Sequence, residues 1–262
     1  MRAVWNDVRD EWELHLICRV ELGDADSPGE RTAGIDLGIS NIAAVSYGDG
    51  AVLYPGGALK EDEYYFAKER AKCNDSRSNE ARRLDQKWSN RRTHFLHTLS
   101  KTIIEECARR DVGTIAVGDL SGIRERENGE ARDWGSKGNH SLHRWAFDRF
   151  ITMLEYKGNE RGITVETVNE RNTSKTCSCC GLKDASQRVE RGLYVCEECG
   201  TVANADVNGA ENIRRELEGA KVPPSPHDED RSTGWMAQPA VHLFDRESGR
   251  FTPREQVDDC KP

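Results

Sequence analysis

Apolar and polar positions alternate near the start of the chain. Trp12, Leu14, Leu16, Cys18 and Val20 fall on one face and Glu13, His15, Arg19 and Glu21 mostly on the other, the period-two pattern of a half-buried strand. A polar linker over 23–31 leads to two β-rich segments, 32–38 and 41–47, joined by a tight turn at 38–40. Residues 62–110 contain neither Pro nor Gly and are rich in helix formers, with Phe95, Leu96, Leu99, Ile103 and Ile104 supplying an apolar stripe. The short run 114–120 predicts an interior strand. A polar loop over 122–138 follows, then a helix capped by Ser141 with Leu142, Trp145, Phe150 and Leu154 on its core side, and a strand over 163–168. Residues 192–195 predict another strand, and Asp206 opens a helix with Val207, Ala210, Ile213 and Leu217 on one side. Beyond Gly219 the chain carries Pro223, Pro224 and Pro226, an acidic patch and little periodicity, so 219–262 is expected to be largely disordered, with Cys260 incidental.

Four of the nine cysteines change this picture. Cys177 and Cys180, then Cys196 and Cys199, form two C-x-x-C knuckles, and Gly181 and Gly200 follow where such turns favour positive φ. This spacing suits a single tetrahedral Zn²⁺ held by four thiolates in a structural ribbon over 173–203. A pair of disulfides is the weaker alternative in a chain with no secretory leader after Met1-Arg2. Cys179 could replace Cys180 as a ligand, but only Cys180 keeps the two-residue gap.

The acids and the charge distribution add more. Asp36 interrupts an apolar strand, and a buried, unpaired carboxylate is costly, so a central position implies a cation or donors nearby. Asp119 ends a second apolar strand. The net charge of −8 excludes a uniformly basic nucleic-acid binder and requires any such contact to use a local patch. Between Arg77 and Lys101 seven basic residues meet two acids, so Arg82, Arg83, Arg91 and Arg92 either track phosphates or form a solvated helix face. Arginine supplies 27 of the 38 basic residues, which fits a high-salt cytoplasm or a GC-rich genome equally well. No run approaches the ~18 apolar residues of a membrane helix, so the expectation is a soluble, cytoplasmic protein of a prokaryote.

In order, Gly34-Ile-Asp36-Leu-Gly38, the Val117-Gly-Asp119-Leu-Ser-Gly-Ile-Arg124 region, Thr173-Ser-Lys-Thr-Cys177 with its knuckles, and Asp206-Val-Asn-Gly-Ala-Glu-Asn-Ile213 resemble the motifs of the TnpB (OrfB) family of insertion-sequence proteins, described in older terms as transposases. The resemblance runs from about Thr32 to Arg215. It implies an α/β fold: an RNase H-like (RuvC) core over 32–172, an inserted four-cysteine zinc ribbon over 173–203 and a final RuvC helix over 204–218. It also implies an RNA-guided DNA endonuclease with DNA and guide RNA as partners, structural Zn²⁺, and catalytic Mg²⁺ held by Asp36, Asp206 and a third acid. The family glutamate of the second motif is Gly118 here, leaving Asp119, Glu125 or Glu127 as the third acid, and strand alternation turns Asp119 from the position-118 face. Asp206 as a plain helix N-cap is the competing structural role. With only about thirty residues before the first motif, segment 1–31 reads as the remnant of an N-terminal domain, and a nuclease-deficient RNA- or DNA-binding remnant is the alternative function.

Overall fold

Strand β3 (Arg31–Leu37) sets the layout, because its residues divide cleanly between two faces. Ala33, Ile35 and Leu37 enter a large apolar core, whereas Gly34 and Asp36 point to the opposite side. The computed structural model describes residues 1–18, 29–119, 144–169, 173–190, 192–219 and 234–254.

Strands β4 (Asn41–Ser46) and β5 (Ala51–Pro55) extend the sheet antiparallel on one side of β3. On its other side β6 (Val112–Asp119) and β7 (Thr164–Asn169) join in parallel. This β5-β4-β3-β6-β7 order is that of an RNase H-like sheet. The connection from β5 to β6 holds helices α1 (Gly57–Ala71) and α2 (Asn79–Arg109), and helix α3 (Arg144–Asn159) precedes β7. Phe95, Leu99, Ile103 and Cys107 of α2 and Phe150 and Leu154 of α3 bury themselves against Ile35, Val45, Ile115 and Val117. None of the described helices is long and apolar enough to cross a membrane.

The uninterrupted run of helix formers over 62–110 is two helices rather than one. Ser78 caps α2 by accepting a hydrogen bond from the Ala81 amide at 3.2 Å, and the Asp75 carboxylate accepts from the Arg77 amide at 2.8 Å. Short polar side chains at 74–78 thus offer the backbone a turn in place of continued helix.

Past residue 219 the expectation of disorder is overturned for the described part. Strands β10 (Ala240–Asp245) and β11 (Arg250–Pro253), numbered after the ribbon strands below, form a hairpin, and β10 pairs in parallel with β5. The sheet thereby grows to seven strands. Phe244 and Phe251 pack on Phe95 with ring centroids 5.0 and 5.2 Å away, so isolated aromatics of a polar tail find their partners on a distant helix. Cys260 lies outside the described residues, as do Ser141 and Leu142.

The first strand is also redrawn. Arg2–Asn6 (β1) and Glu11–His15 (β2) form an isolated antiparallel hairpin in which Trp5 meets Trp12 edge-on at 5.3 Å. Trp12 remains 70% exposed and Leu14 59%, so the expected half-burial is not achieved: a two-stranded ribbon has no second layer to bury its apolar side.

Candidate metal centre and carboxylate face

The two knuckles close on one point. The sulfurs of Cys177 and Cys199 lie 3.7 Å apart and those of Cys180 and Cys196 3.6 Å, and all four fall within 4.8 Å of one another. A tetrahedron with metal–sulfur bonds of about 2.3 Å has edges of about 3.8 Å, whereas a disulfide would need about 2.05 Å. The quartet therefore fits a single metal ion, and Cys179 is not part of it. Each knuckle turns through a glycine at positive φ, Gly181 at 78° and Gly200 at 70°. Their amides donate to the carbonyls of Cys177 and Cys196 at 2.8 and 2.9 Å. Strands β8 (Leu193–Val195) and β9 (Val202–Asn204) pair antiparallel behind the second knuckle, and buried Tyr194 donates its hydroxyl to Gln187. Burial is the largest single influence and opposes ionisation of Cys199, yet hydrogen bonds with Thr201, Cys196 and Cys180 together outweigh it and lower its thiol to about 6.

Helix α4 (Ala205–Glu218) carries the ribbon onto the sheet. Its cap is Asn204, whose side chain accepts from the amides of Asp206 and Val207 at 3.0 and 3.3 Å. Capping thus falls to Asn204, and the Asp206 carboxylate is available for other partners. One of its oxygens accepts from the Asn41 amide group at 2.8 Å, and the other faces the Arg188 guanidinium, 3.3 Å away, which belongs to the ribbon.

Two glycines let α4 lie directly on β3. A Cβ at Gly34 would overlap the Ala210 carbonyl, and one at Gly209 would stand 2.6 Å from Asp36 Oδ2. The Asp36 carboxylate is therefore seated against α4 at Gly209, three residues along the helix from Asp206 and on the same side of it. Both acids thus stand on the side of α4 that faces the carboxyl end of β3.

Asp119 does not join them. Ile35 pairs with Val117, so the next step of the parallel register sets Gly118 beside Asp36 on the α4 face and turns Asp119 to the other face. Asp119 is exposed at the end of β6. Among the described residues only the cysteine quartet brings three or more Cys, His, Asp or Glu ligand atoms within 4.8 Å of one another. Glu125 and Glu127 lie outside the described residues.

The four arginines expected to track phosphates are held by the protein itself. Arg82 pairs with Asp7, Arg83 donates to the Val8 carbonyl at 3.2 Å, Arg91 pairs with Asp62 at 2.8 Å, and Arg92 lies 5.1 Å from the centroid of the Trp88 ring. Half of this surface docks the β1–β2 turn.

Sequence reasoning missed the scaffold inside the Asp206–Ile213 motif. Asn208 accepts from the Ser178 amide at 2.9 Å and donates to the Thr176 carbonyl, and Asn212 donates to the carbonyls of Thr173 and Thr176. Glu211, 1% exposed, receives Ser46 at 2.7 Å, Arg214 at 2.8 and 2.9 Å, and Arg215 at 2.6 Å. Burial raises the Glu211 carboxyl, but hydrogen bonds from Arg214 and Ser46 outweigh it and leave the group below its ordinary range. Two asparagines at i, i+4 spacing beside the helix's apolar stripe, Asn208 and Asn212, were the available signal.

Comparison with known proteins agrees with this arrangement. A family model described as probable transposase matches residues 15–124, and one described as Cas12f1-like, TNB domain, matches 147–213. TnpB-like protein ORF457 of Acidianus two-tailed virus is 28% identical over 85% of this chain and 53% of its own length. The CRISPR-associated endodeoxyribonuclease Cas12f1 of Sulfoacidibacillus thermotolerans is 26% identical over 81% of this chain and 52% of its own. The chain thus spans about half the length of these relatives. Among solved structures, a Cas12f1 bound to sgRNA and target DNA superposes with a TM-score of 0.59 at 20% identity, covering 74% of this chain and 52% of that one, and shares its fold. Two successive family models and these relatives make the chain similar to TnpB-like and Cas12f1 proteins through residues 15–124 and 147–213, on a shared fold.

Proposed function

We propose that this chain acts as an RNA-guided DNA endonuclease of the TnpB type, with Asp36 and Asp206 as the metal-binding carboxylates. The observation that carries the reading is the Asp36 carboxylate seated on Gly209, one helical turn from Asp206. The donor set fits Mg²⁺, a hard cation that takes carboxylate oxygens and retains waters. When bound there, divalent ions supply an activated water and charge neutralisation at the scissile phosphate. Asn41 fixes one oxygen of Asp206 and so orients the other. Arg188 brings a positive charge to that second oxygen and offers the substrate a phosphate partner. The cysteine quartet holds structural Zn²⁺, since four thiolates leave no open coordination position. DNA and guide RNA are the partners this function requires.

Gly118 beside Asp36 favours a second reading, a binder without cleavage, because a glycine supplies no ligand. Purified chain with its co-purifying RNA sequenced and a matching DNA target added in Mg²⁺ separates the two. Cleavage lost in Asp36→Asn and Asp206→Asn is the expected result, and guide-dependent binding with no cleavage by the unaltered chain supports the binder. Asp119→Asn in the same assay reveals whether the opposite-face acid contributes.

A further inference from the structure

On the sheet face away from α4, the C-terminal hairpin and α2 enclose an open cleft of about 960 Å³. Lys101 and Arg109 of α2, Arg110 just past its end, Lys157 of α3 and Arg250 of β11 line it, against two acids, Glu105 and Glu106, in a chain whose net charge is −8. Val52 and Phe251 contribute apolar surface to its lining.

The acids do not neutralise this surface. Glu106 is shared by two guanidiniums, Arg109 and Arg110, the latter at 2.6 Å, and Arg110 also reaches Asp49 outside the cleft at 3.7 Å. Glu105 meets Lys101 only at 3.8 Å, and Lys101 is 69% exposed. Lys157 spends its hydrogen bonds on the His97 carbonyl and the Ser100 hydroxyl, both at 2.6 Å and both uncharged. Neighbouring groups register the surplus. His97 is held below its usual range first by burial and then by Lys157 and Arg149. His242 is lowered by burial against the opposing pull of Glu106, with Arg109 and Arg110 adding to the fall.

We infer that this cleft is a second nucleic-acid site, which grips the phosphodiester backbone of a single strand remote from the carboxylates. Its dimensions favour a linear polyanion over a lone phosphate: Lys101 and Arg109 are eight residues apart on α2, about 12 Å at 1.5 Å per residue. Cations from three separate elements line one concavity, which suits a backbone running along it. The sheet separates the cleft from Asp36 and Asp206, so a strand held here leaves the carboxylate face open. The inference rests on the nucleic-acid reading of the chain but not on cleavage.

The test is fluorescence anisotropy with the full chain and labelled single strands of about 20 nucleotides, RNA and DNA of one sequence, titrated without Mg²⁺ across a range of salt. Lys101→Glu with Arg250→Glu, both exposed, is expected to weaken binding at least tenfold. The log–log salt slope for RNA should flatten by about 1.4, two contacts at about 0.7 each. The strand that loses more affinity is the one the cleft holds. Lys101→Arg with Arg250→Lys should bind as the unaltered chain does. Unchanged affinity and slope for both strands in the charge-reversed variant, with its melting temperature retained, overturn the inference even if the chain cleaves DNA. A chain that never cleaves but shows the slope change leaves it standing and removes only the nuclease reading.

Discussion

The two faces of the sheet are built by different physics. Against α2 and α3 the sheet buries Ile35, Val45, Ile115, Val117, Leu99, Ile103 and Phe150, a wide apolar layer in which any one side chain is one contact among many. Against α4 the apolar patch is small, with Ala44, Leu53, Val207 and Ala210 at its centre, and close approach at Gly34 and Gly209 takes the place of bulk. The remaining contacts on that side are polar: Glu211 with Ser46 and two arginines, and Asn208 and Asn212 with the ribbon lead. The first face supplies stability in proportion to area, whereas the second fixes geometry through a few directional bonds. The candidate chemistry sits on the second.

The largest effect should come from the ribbon. Removing the metal, or substituting Cys199→Ser, should unfold residues 173–203, because structural zinc contributes apparent binding energies of about 10–16 kcal/mol in small zinc domains. Elemental analysis should find one zinc per unaltered chain, none after Cys199→Ser and one after Cys18→Ser. A folded ribbon without metal would place its stability in the β8–β9 hairpin instead.

Next come paired substitutions on the two faces. Glu211→Gln leaves buried guanidinium hydrogen bonds incomplete and should cost about 3–5 kcal/mol. Leu99→Ala opens a cavity and should cost about 2–5 kcal/mol. The losses are similar but their reach differs. In denaturant melts both variants should shift the midpoint, while amide exchange near Thr173–Ser178 should accelerate sharply only in Glu211→Gln. Equal acceleration in both would mean the faces are coupled as one unit.

The faces should also fail at opposite ends of the pH scale. Glu211 has a depressed carboxyl in the folded chain, so its contribution is present above the unfolded value of about 4.3 and is lost as pH falls through the lower folded value. Cys107 and Tyr47, buried among apolar side chains, are raised chiefly by desolvation. Their contribution is complete below the unfolded values, about 8.5 and 10, and is lost as pH rises beyond them. Melting temperature against pH should therefore show an acid limb that Glu211→Gln flattens and an alkaline limb that Cys107→Ala flattens.

The smallest effect is expected at the helix surface. Arg82→Ala breaks an exposed pair with Asp7 and should leave the melting temperature nearly unchanged, because water screens such a pair. A larger loss in a thermal melt would show that the β1–β2 hairpin stabilises α2 more than its exposure implies.

The motifs were legible because they are local. Two C-x-x-C knuckles with following glycines specify their own turns, and an apolar strand broken by Asp36 announces a special position wherever the strand lies. The alternation that separates Gly118 from Asp119 was equally readable, since the side-chain period of a strand is fixed at two. Pairings across large sequence distances were not. Asn41 with Asp206 and Arg188 with Asp206 have no local pattern, because hydrogen-bond partners are assigned only when β4, the ribbon and α4 come together. The C-terminal hairpin was hidden for the same reason. Phe244 and Phe251 look like scattered aromatics in a polar segment until β10 joins the edge of β5 and turns them onto Phe95.

The sequence by itself therefore determined the order of the motifs and the cysteine quartet and singled out Asp36 and Asp206 as candidates, all of which depend on residue type and spacing along the chain. Only the tertiary structure decided which helix packs on each face of the sheet, which side chains hold Asp206 and what lies beyond β5. Those outcomes depend on which distant strand edges and helix faces bury each other, and that is a property of the whole sheet.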